Sequence, residues 1–204
     1  KIKKIIYTST EHVYGDNAKT IYKTKVIEPY PKNYYGVSKL LSEKILYNFY
    51  NENLTNIDIL RIPRVVFNEV ENPISSMIVS AIKKKRINLN NTKAKFNFIY
   101  SEDLIKSIKI CFDQGKTGFR ILNIFNNSKP ISLYSIAKQI KIRINNKNLK
   151  IVSSNKKYNI EHNPLNLIIS NSHTKKILKW KPIFGNNRII KKLIKVYETK
   201  HYFK

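Results

Sequence analysis

The sequence has 204 residues, room for roughly one ordinary domain or one and a half small ones. Hydrophobic residues make up 42%, enough for a core, while 39 Lys and Arg against 13 Asp and Glu leave a formal charge of +26. One cysteine, Cys111, excludes an intrachain disulfide, no apolar run nears the ~18 residues of a membrane span, and the four histidines (12, 162, 173 and 201) keep no metal-ligand spacing.

In chain order, Lys4 to Ser9 reads as a short strand, buried over Ile5-Ile6-Tyr7, and Asp16 to Lys32, with Pro29 and Pro31, as a loop. Ser38 to Tyr50 is predicted helical, with Leu40, Leu41, Ile45, Leu46 and Phe49 as its apolar face. Ile57 to Phe67 is β-rich, and Pro63 inside it marks a bulge or a strand end. Ile74 to Arg86 is helical, Phe96 to Tyr100 a short strand, and Leu104 to Phe112 a helix closed by Gly115 and Gly118. Phe119 to Phe125 is a strand, Ser132 an N-cap, and Leu149 to Val152 another strand. His173 to Leu178 and Asn187 to Tyr197 are the last helices. Strands and helices alternate, so the expected class is α/β with a parallel sheet.

The charge raises the question of an anionic partner. Lysines occur in nearly every segment, strand-like ones included, beside abundant Asn and Ile, which reads as compositional drift rather than a binding stripe. The densest run, Lys83-Lys84-Lys85-Arg86, ends an amphipathic stretch and reads as a cationic helix end facing water. A nucleic-acid partner is therefore not expected. Cys111 lies in the apolar run Ile108 to Phe112 and reads as core.

Chemistry concentrates near the start. Tyr35 and Lys39 are four apart, so on a helix they share a face. A tyrosine with a pKa near ~10 is a poor base at neutral pH. A lysine ammonium ~4 Å away contributes roughly 4 kcal/mol at an effective dielectric of about 20, on the order of three pKa units before desolvation opposes it. Such a pair can accept a hydroxyl proton while a hydride leaves the same carbon. Upstream, Ser9-Thr10-Glu11-His12-Val13-Tyr14-Gly15 directly follows a strand, the position at which α/β folds hold ligands. Thr10 could bind the reacting hydroxyl there, or cap a turn whose bend Gly15 supplies.

The ordered set resembles the extended short-chain dehydrogenases/reductases, the NAD-dependent epimerases and dehydratases of nucleotide sugars. Its members are the strand ending in S-T-x-x-V-Y-G and Tyr35-Gly-x-Ser-Lys39 with Glu43 beyond. Further on come Leu60-Arg-Ile-Pro-Arg-Val-Val-Phe67, Phe96-Asn-Phe-Ile-Tyr-Ser-Glu-Asp103 with Asp103 opening a helix, Leu122-Asn-Ile124 before Pro130-Ile-Ser132, and Leu178-Lys-Trp-Lys-Pro182. The resemblance implies the C-terminal part of a Rossmann-type doubly wound parallel sheet plus a small α/β substrate-binding domain. Residues 1–67 would belong to the NAD-binding half and 68–204 mainly to the substrate domain, with about 98–128 packing back on the sheet. It implies Tyr35 as general base or acid, Lys39 lowering its pKa and holding the nicotinamide ribose, Thr10 positioning the substrate hydroxyl, and Glu11 as an acid. Backbone around Thr8 and near Pro63 would line NAD or NADP. His12, Arg64 and Lys95 would face the nucleotide-sugar substrate. A cytoplasmic homodimer is the implied assembly.

The sequence also departs from that pattern. The dehydratases carry an Asp-Glu pair where this chain has Glu11-His12. Arg64 stands where Asn is usual, Phe67 where Gly is usual, and Lys95 is the nearest cation to a place usually held by Arg. Glycines 15, 36, 115, 118 and 185 cannot form the G-x-x-G-x-x-G loop that cradles a pyrophosphate. With a core strand opening at residue 5, the expectation is a partial chain that binds NAD weakly by itself. The alternative is a non-catalytic basic binding protein using its charge on nucleic acid or anionic glycans.

Overall fold

The computed structural model describes residues 2–15, 21–22, 29–68, 70–90, 92, 94–154 and 167–202. Its main sheet is parallel, in the order β1 (Lys4–Thr10), β3 (Asn56–Ile62), β8 (Phe119–Asn123). Helix α1 (Tyr34–Asn53) connects the first two of these strands, and α3 (Ser101–Asp113) precedes the third. β3 lies in the middle, and Ile57, Ile59 and Leu60 along it are fully buried. Its two charged residues are neutralised by neighbours. Asp58 takes Lys4 Nζ at 3.0 Å and a two-point contact from Arg120 at 2.6 and 2.7 Å, one cation from each flanking strand.

Pro63 ends β3 and shifts the chain into a second layer. β4 (Arg64–Val66) leaves the main sheet and pairs in parallel with β7 (Phe98–Tyr100). A proline cannot donate to a ladder, so the sheet changes there. The single strand expected over Ile57 to Phe67 is thus two strands in two sheets.

The larger core lies beyond. α2 (Pro73–Lys84), α4 (Leu133–Ile144) and α6 (Asn186–Tyr202) pack together over β5 (Arg86–Asn90), which pairs in parallel with β10 (Lys150–Ser154). Ile78, Ala81, Ile136, Ala137, Ile140, Ile189 and Leu193 are fully buried in this cluster. β6 (Lys95–Phe96) and β9 (Ile131–Ser132) form an antiparallel pair beside it. β2 (Ile21–Tyr22) pairs with β11 (Ile168–Ile169), so the expected loop over Asp16 to Lys32 contains a two-residue strand. The rest of that loop, apart from residues 29–32, lies outside the described residues. α5 (Ser172–Leu178) completes the set.

Local signals explain the helix ends. α2 begins with a capping box between Asn72 and Ser75 and with Pro73 in its first turn; Ser132 caps α4 by accepting from Ser135 N–H. Four helices end in left-handed residues, Leu54, Lys85, Asn145 and Lys179. In a chain with five glycines, ordinary side chains occupy the position that glycine usually takes. Asp103, expected to open α3, lies one turn's edge inside it, since the helix starts at Ser101. Its buried carboxylate accepts from the Ile183 and Phe184 N–H groups, while its carbonyl takes Trp180 Nε1–H. Asp103 and the Trp180-Lys-Pro182 segment are therefore one structural joint. No helix among the described residues is long and apolar enough to cross a membrane.

Candidate active site

β1 ends at Thr10 and the chain turns at once through a single 3-10 turn, Glu11–Tyr14. The Thr10 hydroxyl caps it, accepting from His12 N–H at 3.3 Å. Gly15 closes it at φ 77°, and a Cβ there would stand 2.2 Å from the Tyr30 carbonyl oxygen. Glycine is needed for conformation and for space. Helix α1 starts against the same turn. Asn33 caps it, with Oδ1 accepting Gly36 N–H at 2.7 Å. A Cβ on Gly36 would lie 2.6 Å from the His12 carbonyl oxygen. The turn and the helix thus meet backbone to backbone, which brings Tyr35 edge-on to His12 with ring centroids 5.6 Å apart.

Tyr35 is 52% exposed, and Thr10 is buried beneath the turn. Lys39, one helical turn on, donates from Nζ to the Thr8 carbonyl at 3.0 Å and sits 4.8 Å from the Tyr7 ring centroid. Its Nζ is 6.0 Å from the Tyr35 ring centroid. The Thr8 carbonyl and the Tyr7 ring hold the ammonium, and among the described residues no hydrogen bond joins it to the Tyr35 phenol. Helical spacing put the two side chains on one face but did not fix which acceptor the lysine takes.

Glu43, two turns beyond Tyr35, anchors this helix. It accepts Ser9 Oγ–H at 2.5 Å and is gripped by Arg61 through Nε at 3.1 Å and Nη2 at 2.6 Å, all buried. Arg61 in turn lies 4.8 Å from the Tyr14 ring centroid. Tyr14 donates to Asn123 Oδ1 at 2.7 Å, and burial pushes its phenol above the usual value. Tyr14 therefore holds its proton and serves the framework. The helical face expected for α1 is only partly correct. Leu40, Leu46 and Phe49 are half-buried, but Leu41 and Ile45 are exposed.

Glu11 and His12 have opposite electrostatics. Glu11 is buried, with Oε2 accepting from Asn97 Nδ2 at 2.9 Å and Oε1 3.9 Å from Arg64 Nη1. Burial raises its pKa to about 7, against the lowering effects of Asn97 and Arg64. Burial and then the Arg64 charge lower His12 to about 4. Glu11 can give or take a proton near neutrality; His12 stays neutral there.

Thr8, Thr10, Glu11, His12, Tyr35, Lys39 and Arg64 gather around the C-terminal end of β1. Arg64 lies over the Phe96 ring at 4.4 Å to the centroid, and exposed Lys95 precedes that ring on β6. Pro63 is buried at the joint between β3 and β4. Cys111 is buried as expected, with its thiol pushed up to about 12 by burial first. Ser9, Asn33 and Asn97 were not singled out from the sequence. Asn33 had a signal, a capping residue two positions before Tyr35. Asn97 had none, since it meets Glu11 across 86 positions.

The model of the NAD dependent epimerase/dehydratase family matches residues 1–124. No curated protein matches the chain. Among solved structures, the UDP-N-acetylglucosamine 4-epimerase from Bacillus cereus is similar at 22% identity and a TM-score of 0.80, covering 95% of this chain and 66% of that one. The UDP-glucose 4-epimerase from Thermotoga maritima, with UDP-glucose, gives 17%, 0.81, 98% and 64%. The dTDP-glucose 4,6-dehydratase from Bacillus anthracis, in complex with NAD, gives 19%, 0.81, 98% and 63%. The chain thus spans about two thirds of the length of such structures, and at these identities the likeness establishes a Rossmann-type α/β fold. With the family model matching more than half of its residues, the chain belongs to the NAD-dependent epimerase/dehydratase family.

Proposed function

We propose that this chain serves an NAD- or NADP-dependent epimerase or dehydratase acting on a nucleotide sugar. The observation that carries it is the half-exposed Tyr35, docked on the Thr10 turn by Gly36 and followed by a Lys39 tied to the Thr8 carbonyl. Tyr35 takes the proton of a sugar hydroxyl, and Thr10, whose oxygen accepts the His12 N–H, keeps its own O–H to donate. Glu11, protonated or ionised near neutrality, supplies or accepts a second proton. The family match and this arrangement support an enzyme over a basic binding protein.

The residues fit one end of the cofactor. Thr8 and Tyr35 are exposed beside Lys39, a polar ledge suited to a ribose and a nicotinamide. Glycines 15, 36, 115, 118 and 185 form no G-x-x-G-x-x-G loop, so these residues address the nicotinamide end only. A bound dinucleotide supplies transient hydride acceptance at the sugar carbon. The nucleotide sugar follows the UDP-glucose and dTDP-glucose named for the structural neighbours, with Arg64 and Lys95 offered to its charged part. A division near residue 67 is supported by the change of sheet at Pro63 and by the return of β8 to the main sheet. A homodimer is supported by the exposed Val37, Leu41 and Ile45 on α1.

The test is turnover of UDP- and dTDP-sugars with NAD by the protein expressed from its complete gene, followed by NMR of the sugar. Tyr35→Phe is expected to lower turnover by at least ~100-fold. Turnover retained by the variant removes Tyr35 from the role, and a wild type that converts none of the sugars overturns the reading.

A further inference from the structure

His12 occupies the place where the dehydratases have a carboxylate, and its hydrogen bonding is fixed from one side. Asn33 Oδ1 accepts Gly36 N–H at 2.7 Å, which orients the amide, since a backbone N–H needs the oxygen. The NH2 group of Asn33 is then the atom 2.9 Å from His12 Nδ1. Two donors cannot share a hydrogen bond, so Nδ1 is the acceptor and carries no proton. A neutral imidazole with a bare Nδ1 holds its proton on Nε2.

The surroundings keep it neutral. Arg64 from β4 sets a positive charge near the ring, Tyr35 from α1 meets it edge-on, and Glu11 precedes it in the chain. An imidazolium would press an Nδ1–H against the Asn33 NH2. Among the described residues Nε2 has no hydrogen-bond partner, and His12 is only partly buried.

We propose that Asn33 is a positioning residue that locks His12 as the neutral Nε2–H tautomer, making it a fixed hydrogen-bond donor to an oxygen of the ligand beside Tyr35. This rests on the proposed reading of the cleft for the ligand's identity, but the tautomer does not. The Glu11-His12 pair then divides the work of a carboxylate pair. Glu11 is the group that changes protonation, and His12 only donates. An Asn at the helix cap sets both the start of α1 and the polarity of the neighbouring ring.

The experiment is long-range 1H–15N NMR of the uniformly 15N-labelled 204-residue chain, with His12 assigned by comparison with His12→Gln. Wild type should show Nδ1 unprotonated and Nε2 protonated, unchanged from pH 8 to pH 5. Asn33→Ser keeps a capping oxygen but removes the NH2 donor; Asn33→Asp also places a carboxylate on Nδ1. The first should give a mixture of tautomers, and the second an Nδ1–H or a charged ring at pH 7. A wild-type ring with its proton on Nδ1, a wild-type ring charging above pH 5, or spectra of both variants like wild type would each overturn the proposal. No cofactor or substrate enters these spectra, so absence of sugar turnover counts against the enzyme reading and leaves the tautomer result standing.

Discussion

The two halves of the molecule are held by different forces. Around α2, α4, α6 and β5, burial of Ile, Leu and Ala makes a continuous core. Around α1 and the main sheet, the apolar cluster is smaller, and buried charges fix the geometry: Glu43 with Arg61 and Ser9, and Asp58 with Lys4 and Arg120. The 20-residue helix α1 buries only Gly36 and Glu43 outright. Hydrophobic burial is strong but non-directional, whereas a bidentate ion pair sets distance and angle. The half that carries Tyr35 and Lys39 is the half that uses the directional force.

The largest expected effect tests that force. Arg61→Leu should cost ~3–5 kcal/mol in urea denaturation, because Glu43 is left buried without its partner. Glu43→Leu together with Arg61→Leu should recover most of that stability while shifting α1; a double variant as unstable as the single one would break the contrast. Next comes Ile78→Ala, at ~2–5 kcal/mol. Ile45→Ala on α1 should change stability by less than ~0.5 kcal/mol where the chain is monomeric. Equal costs at these two positions would mean that α1 is held by burial after all.

Glu11→Gln has a smaller effect with a defined sign. Glu11 has its folded pKa raised from 4.5 to about 7, so its contribution is present below 4.5 and lost as pH rises through 7. His12 has its folded pKa lowered from 6.5 to about 4, so its contribution is present above 6.5 and lost as pH falls through 4. The two slopes oppose each other over pH 4.5–6.5. Glu11→Gln should stabilise the protein at pH 8, by at most on the order of 3 kcal/mol, and should expose a rise of stability with pH between 4 and 6.5. Thermal unfolding across pH 4–8 checks this, and a flat difference between variant and wild type would contradict the buried carboxyl. A gain of ~0.5–1 kcal/mol each is expected from Leu54→Gly or Lys85→Gly, since both residues are left-handed. These helix ends sit in different halves, and equal gains would confine the contrast to packing.

What was legible in the sequence follows the same line. Alternation of elements, the Tyr35–Lys39 face, the Ser132 cap and a break at Pro63 (a bulge or a strand end) are local patterns, and the structure has them, the last as a strand end. Asp103 and Trp180-Lys-Pro182 were legible as motifs but not as one joint, because the bond spans 77 positions. The apolar face of α1 was overread at Leu41 and Ile45, since periodicity counts residues and does not know which side the sheet lies on. Glu11–Asn97 and Asn33–His12 were not legible at all: both need the folded path to bring polar groups together. β2, β5 and β11 were missed for the related reason that short or polar strands exist only through their partners.

Glu43 sits eight residues after Tyr35 and four after Lys39 on one side of α1, and Arg61 grips it from beneath. A helix pinned at that point cannot roll about its axis, however its outer residues vary. The outward face is therefore not needed to set the helix's orientation, and residues there can vary while the direction of the tyrosine stays the same.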